Sequence, residues 1–190
     1  KFHGGRIPEQ NIRGYTRSIV EGLHHIHSNG FVYCDIKLQN ILVFHDGEIK
    51  IADFGLANKT GEVRSRLECR GTPMYMSPES VIDGEHESPA DIWALGGEES
   101  PTMPEYLSKE GKYFVDKCFI KDLRNRWTIE MLLDHPFIEE VKKNVSEASP
   151  RDHFDFNDWV SSVGDATPNS LKSEESCQCD FDSCSYSTMD

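Results

Sequence analysis

Between residues 8 and 30 the apolar positions Ile12, Tyr15, Ile19, Leu23 and Ile26 recur at three- and four-residue spacing, the period of a helix with one buried stripe. Pro8 suits the first helical turn, and Ser28-Asn29-Gly30 supplies a stop whose glycine tolerates positive φ. The pattern then shortens. Phe31-Val32-Tyr33 predicts an extended entry into a loop. Ile41-Leu42-Val43-Phe44 and Glu48-Ile49-Lys50-Ile51 predict two strands joined through His45-Asp46-Gly47. Residues 56–76 hold no sustained period and carry Gly, Thr, Arg and Ser, as a mobile segment would. Further on, Phe114, Val115, Cys118 and Phe119 mark a helix capped by Ser108, and Ile129, Leu132 and Leu133 mark another capped by Thr128. From about Asn144 apolar residues thin out while Ser, Asp and Glu dominate. Residues 141–190 are therefore expected to form a disordered acidic tail, with Phe154, Phe156 and Trp159 as a small docking patch.

A chain of 190 residues fits one domain with a tail. The net charge of −13 excludes nucleic acid and anionic membrane as main partners. Residues 144–190, with ten acidic and two basic side chains, carry −8 of it. Apolar runs are too short to predict a membrane span. The opening Lys1-Phe2-His3-Gly4-Gly5 is no signal peptide and has no initiator Met, so the chain is expected to be cut from something longer. Of the six cysteines, Cys34 sits in a loop, Cys118 on an apolar helical face, and Cys177, Cys179 and Cys184 in the tail. That scatter predicts free thiols in a monomeric cytoplasmic or nuclear protein. His24 and His27 share a helical face, but no nearby cysteine or carboxylate completes a zinc site.

The chemistry concentrates in Asp35-Ile36-Lys37-Leu38-Gln39-Asn40, followed by Asp53-Phe54-Gly55. Phosphoryl transfer needs a carboxylate beside the attacking hydroxyl, a cation near the transferred phosphate and oxygen ligands for Mg²⁺. Asp35 suits the first role and Lys37 the second, while Asn40 and Asp53 suit the third. The predicted hairpin would hold Asn40 and Asp53 at neighbouring ends.

Together these motifs resemble the catalytic and metal loops of eukaryotic protein kinases. Gly71-Thr72-Pro73-Met74-Tyr75-Met76-Ser77-Pro78-Glu79 resembles the end of a kinase activation segment, with Ser-Pro-Glu where many members have Ala-Pro-Glu. Asp91-Ile92-Trp93-Ala94-Leu95-Gly96 resembles the start of the buried central helix, and Arg124 to Phe137 the closing helix. The spelling is similar to plant MAP kinase kinase kinases of the MEKK-like group. The resemblance implies an α+β, mainly helical kinase C-lobe over residues 1–140. It implies ATP and Mg²⁺ as cofactors, with Lys37, Asn40 and Asp53 at the nucleotide, and a MAP kinase kinase as protein substrate. Lys37 in Asp-x-Lys-x-x-Asn implies Ser/Thr transfer, with the Thr72 hydroxyl bonded near Asp35 and Lys37. Glu79 and Arg126 are implied as a buried ion pair, and Asp91 as an acceptor for catalytic-loop backbone. The rival reading is an inactive fragment serving as an interaction module.

Several positions depart from the family. Tyr33-Cys34-Asp35 stands for His-Arg-Asp, so a phosphate on Thr60 or Ser65 would find no loop arginine. Tyr33 keeps a ring to pack on Phe54. Lys1 is the only lysine before Asp35, and no glycine-rich phosphate loop precedes it, so the N-lobe is expected to be absent from this chain. After Gly96 the central helix meets Gly97-Glu98-Glu99-Ser100-Pro101, which neither buries cheaply nor stays helical. Its truncation there is the pattern of an internal deletion, from a skipped exon or a faulty gene model.

Overall fold

The computed structural model describes residues 7–44, 47–61, 71–97 and 103–139. The chain divides into two units, Lys1–Glu147 and Ala148–Asp190, and the described residues all lie in the first. The tail, Ser65 and the His45-Asp46 part of the predicted turn lie outside them.

The unit is mainly helical, with two small antiparallel ladders. Helix α1 runs Glu9–Ser28, with Pro8 one residue earlier than predicted, at the cap position. Its inward face buries Val20, Leu23 and Ile26, with Ile12 and Ile19 packed against the same core. Gly30, at φ 77°, turns the chain out of the helix. Gly22 is what lets α1 lie close to the sheet: a Cβ there would stand 3.0 Å from Ile51 Cδ1.

Strand β1 (Phe31–Val32) leads into the loop that carries Asp35, and a 3₁₀ turn at Leu38–Asn40 leads out of it. Strands β2 (Ile41–Val43) and β3 (Ile49–Ile51) pair in the predicted hairpin, in register Ile41↔Ile51 and Val43↔Ile49. β4 (Asn58–Lys59) pairs with β1, a strand placed where residues 56–76 predicted no regular structure. A second 3₁₀ turn, Pro73–Tyr75, also falls in that stretch.

Helix α2 (Pro78–Ile82) is capped by the Ser77 hydroxyl, which accepts from Ser80 N. α3 (Ser88–Gly96) carries the buried Ala90, Asp91, Ile92 and Trp93, and ends at Gly97 with φ 106°. The central helix is therefore short, as its sequence predicts. α4 (Lys109–Cys118) and α5 (Ile129–Leu133) take their predicted caps, Ser108 on Gly111 N and Thr128 on Met131 N. The closing helix is broken: α5 stops at Leu133, and α6 (Pro136–Glu139) begins at the proline, whose ring cannot continue the helix before it.

One core joins α1, the loop entry and α3–α6 through Leu23, Tyr33, Ile92, Phe114, Leu132 and Ile138. Arg13 and Arg17 of α1 donate to the carbonyls of Phe137 and Ile138, satisfying backbone at the end of α6. No helix among the described residues is long and apolar enough to cross a membrane.

Candidate active site

Each functional side chain is held by an element that the pattern dictates. α3 buries Asp91 beneath the loop, 1% exposed, where Oδ2 accepts from Tyr33 N and Oδ1 from Cys34 N, both at 2.8 Å. Charge-assisted bonds to two successive amides fix the backbone into Asp35 and hold Cys34 at φ 69°. Sequence reasoning placed Asp91 here but passed over its third partner. His27 Nε2 lies 2.9 Å from Asp91 Oδ2. The signal was available, since His27 ends the buried stripe of α1 one residue after Ile26.

Asp35 is buried, and its carboxylate is crowded. Oδ1 accepts from the Thr72 hydroxyl at 2.9 Å. Oδ2 accepts from Asn40 Nδ2 at 2.9 Å and from Lys37 Nζ at 2.7 Å. Lys37 also donates to Thr72 Oγ1 at 3.0 Å, closing the triangle that the sequence predicts. A carboxylate offers about four acceptor sites, so one on Oδ1 is left for an incoming hydroxyl. Asn40 Nδ2 also donates to the Asp35 carbonyl at 3.0 Å, and its amide oxygen is the atom left to meet a cation.

Asp53 follows the hairpin. Ala52 N donates to the Asn40 carbonyl at 2.9 Å, which ties the segment bearing Asp53 to the loop bearing Asp35. Asp53 stands at φ 60°, rare for a residue with a Cβ. Its Oδ1 accepts a long 3.3 Å bond from Gly55 N. What holds that backbone is Tyr33, whose phenol donates to the carbonyls of Ala52 and Asp53 while its ring meets Phe54 edge-on at 5.3 Å. Burial pushes the Tyr33 phenol well above its usual range; a hydrogen bond with Asn40 offsets part of this, and the charges of Asp35, Asp53 and Asp91 add to it. The hydroxyl is a fixed donor. The sequence pointed to the ring and missed this bond.

The residues fit a Mg²⁺ ion: Asn40 and Asp53 would offer it hard oxygen ligands, and Mg²⁺ takes one or two such groups beside phosphate and water. Among the described residues no cluster of three or more His, Cys, Asp or Glu forms a closed protein cage. His27 Nε2 lies 2.9 Å from Asp91 Oδ2, and His24 Nε2 lies 3.8 Å from Glu130 Oε1.

Glu79 and Arg126 lie apart from this centre and form the buried pair that the resemblance implies. Arg126 donates to both Glu79 oxygens, at 2.5 and 3.0 Å. It donates also to the carbonyls of Ile120 and Pro89, and its guanidinium lies 5.0 Å from the Trp93 ring centre. Burial raises the Glu79 carboxyl, but hydrogen bonds from Arg126 and Ser77 outweigh it and hold the group below its ordinary value.

The protein kinase domain family model matches residues 2–98. The chain belongs to the protein kinase family. The match stops two residues after α3 ends, where the central helix breaks. Mitogen-activated protein kinase kinase kinase 20 of Arabidopsis thaliana is 41% identical over 89% of this chain and 64% of its own length. Kinase kinase kinase 17 of that plant is 34% identical over 71% of the chain and 44% of its own length. The kinase kinase kinase YODA is 35% identical over 72% and 19%. The chain thus spans less than two thirds of the relatives it matches. The first alignment runs over 217 positions, more than the 190 residues here, so that relative carries segments with no counterpart in this chain.

Proposed function

We propose that this chain carries the catalytic half of a serine/threonine protein kinase of the MAP kinase kinase kinase type. It would pass the γ-phosphate of ATP to a Ser or Thr hydroxyl of a MAP kinase kinase. The observation that carries this reading is the closed network of Asp35, Lys37 and Thr72 with Asn40 behind it. Asp35 orients the hydroxyl and takes its proton, and Lys37 neutralises charge on the transferred phosphate. Asn40 and Asp53 would hold Mg²⁺, which draws charge from the phosphate oxygens when bound. Residues 141–190 are read as a separate acidic tail, and the cytoplasm or nucleus as the site of action.

A second reading, an inactive interaction module, draws on the family match ending at residue 98 and the central helix ending at Gly96. Radiolabelled transfer separates the two. The kinase reading expects phosphate from γ-labelled ATP on Ser and Thr of a recombinant MAP kinase kinase, lost in Asp35→Asn. No transfer from a cooperatively melting chain favours the module, and transfer that survives Asp35→Asn denies Asp35 the role of base.

A further inference from the structure

The inner stripe of α1 buries Val20, Leu23 and Ile26, and His27, four residues after Leu23, continues it. Residues four apart share a helical face, so the imidazole is carried inward rather than into solvent. Its side chain is 10% exposed and meets Asp91, 1% exposed, at 2.9 Å. Nε2 is the donor, since a carboxylate only accepts. Burying a carboxylate is costly unless donors surround it. Asp91 Oδ2 accepts from His27 Nε2 and Tyr33 N, and Oδ1 from Cys34 N. The two amides belong to the loop that Asp91 positions, so they do not fix the carboxylate independently of that loop. His27 does, because it comes from α1.

The constraint passes through Tyr33. Its amide is held by Asp91, while its phenol donates to the carbonyls of Ala52 and Asp53 and its ring lies edge-on to Phe54. One residue therefore joins the buried carboxylate to the backbone of Asp53, which stands at φ 60°. We infer that His27 is a positioning residue for Asp53, acting through Asp91 and Tyr33. The inference rests on the kinase reading only for what Asp53 then binds.

The intact chain tests it, first without substitution. Long-range proton–nitrogen spectra should show a proton on His27 Nε2; an imidazole protonated on Nδ1 alone would overturn the inference. His27→Leu fills the space without the donor, and His27→Gln returns an N–H near the place of Nε2. One hydrogen bond to a charged acceptor corresponds to about tenfold or more in an equilibrium. His27→Leu should therefore speed amide exchange at Tyr33 and Cys34 about tenfold. It should also move the amide nitrogen signal of Phe54, which shares a peptide group with the Asp53 carbonyl. The Mg²⁺ concentration at which ATP shifts the melting temperature should rise about tenfold. His27→Gln should restore all three. Beside Tyr33→Phe, which already cuts the relay, His27→Leu should change the Mg²⁺ requirement by less than about twofold. Unchanged exchange, a static Phe54 signal, no restoration by His27→Gln, or a full Mg²⁺ effect beside Tyr33→Phe would overturn the inference. If the unsubstituted chain shows no Mg²⁺-dependent ATP shift, the kinase reading fails, and the Phe54 signal still decides for or against His27.

Discussion

Replacing Arg126 with methionine should destabilise the chain more than replacing both members of its ion pair. In Arg126→Met the Glu79 carboxylate stays buried with Ser77 nearby but without its cation, and the carbonyls of Ile120 and Pro89 lose their donors. Breaking a buried pair from one side costs about 3–5 kcal/mol. Glu79→Met should cost less, about 2–3 kcal/mol, because Arg126 keeps both backbone acceptors and the Trp93 face. The double replacement removes both charges and leaves only the two carbonyls wanting, about 2–4 kcal/mol in all. The coupling in a double-mutant cycle should therefore be about 3–4 kcal/mol, the two single costs less the double. Urea denaturation followed by far-ultraviolet circular dichroism measures it, avoiding Trp93 fluorescence, which the substitution itself perturbs. The sign with pH follows from the carboxyl. Its folded value lies below the ordinary 4.5, so its contribution is complete above pH 4.5 and is lost as pH falls through the folded value. Additive single costs at neutral pH, or coupling that grows in acid, would refute the reasoning.

Three further outcomes follow from the same geometry. Tyr33→Phe keeps the ring on Phe54 but removes the donor to Ala52 and Asp53. It should cost about 1–2 kcal/mol in denaturation and raise the Mg²⁺ concentration needed for nucleotide binding, whereas an unchanged Mg²⁺ requirement would deny that Tyr33 positions Asp53. Gly71→Ala puts a Cβ 2.6 Å from the Cys34 carbonyl at a φ of 107°. That should displace Thr72 from Asp35 and lower phosphate transfer about tenfold or more, while Gly14→Ala, whose Cβ meets nothing within 4 Å, should leave it alone. His135 is pushed below its usual value chiefly by burial, with Arg13 adding to this and Glu110 opposing it, and its Nδ1 accepts from Phe137 N. The unfolded chain therefore binds the proton more readily, and the melting temperature should fall as pH drops below about 6.5 and level off beneath the folded value. A flat melting profile from pH 7.5 to pH 5 would contradict this.

The sequence reveals what is written locally. Helix α1 is legible because its apolar stripe repeats over five positions, and the caps Ser108 and Thr128 because they immediately precede amphipathic runs. The hairpin is legible from alternating β-branched residues around Gly47. Asp35, Lys37, Asn40 and Thr72 are legible because their spacing repeats a family motif, and the fold brings those four into one hydrogen-bonded network. What stays hidden are pairings between short distant segments. The β1–β4 ladder has two residues on each side, too few for any period to mark β4. His27 and Asp91 are 64 residues apart, and only the packing of α1 and α3 about β1 brings them together. The Tyr33 phenol is a third case: its partners are backbone carbonyls, which no side-chain pattern records.

The claim on which the rest depends is that the Asp35-to-Asp53 constellation is a working nucleotide and metal centre. Mg²⁺-dependent binding of ATP to the intact chain, read as a thermal shift with Asp53→Asn as the paired variant, tests it most directly. The account predicts a shift that needs both Mg²⁺ and ATP and disappears in Asp53→Asn. A cooperatively melting chain with no shift, or with the same shift in both proteins, would contradict it.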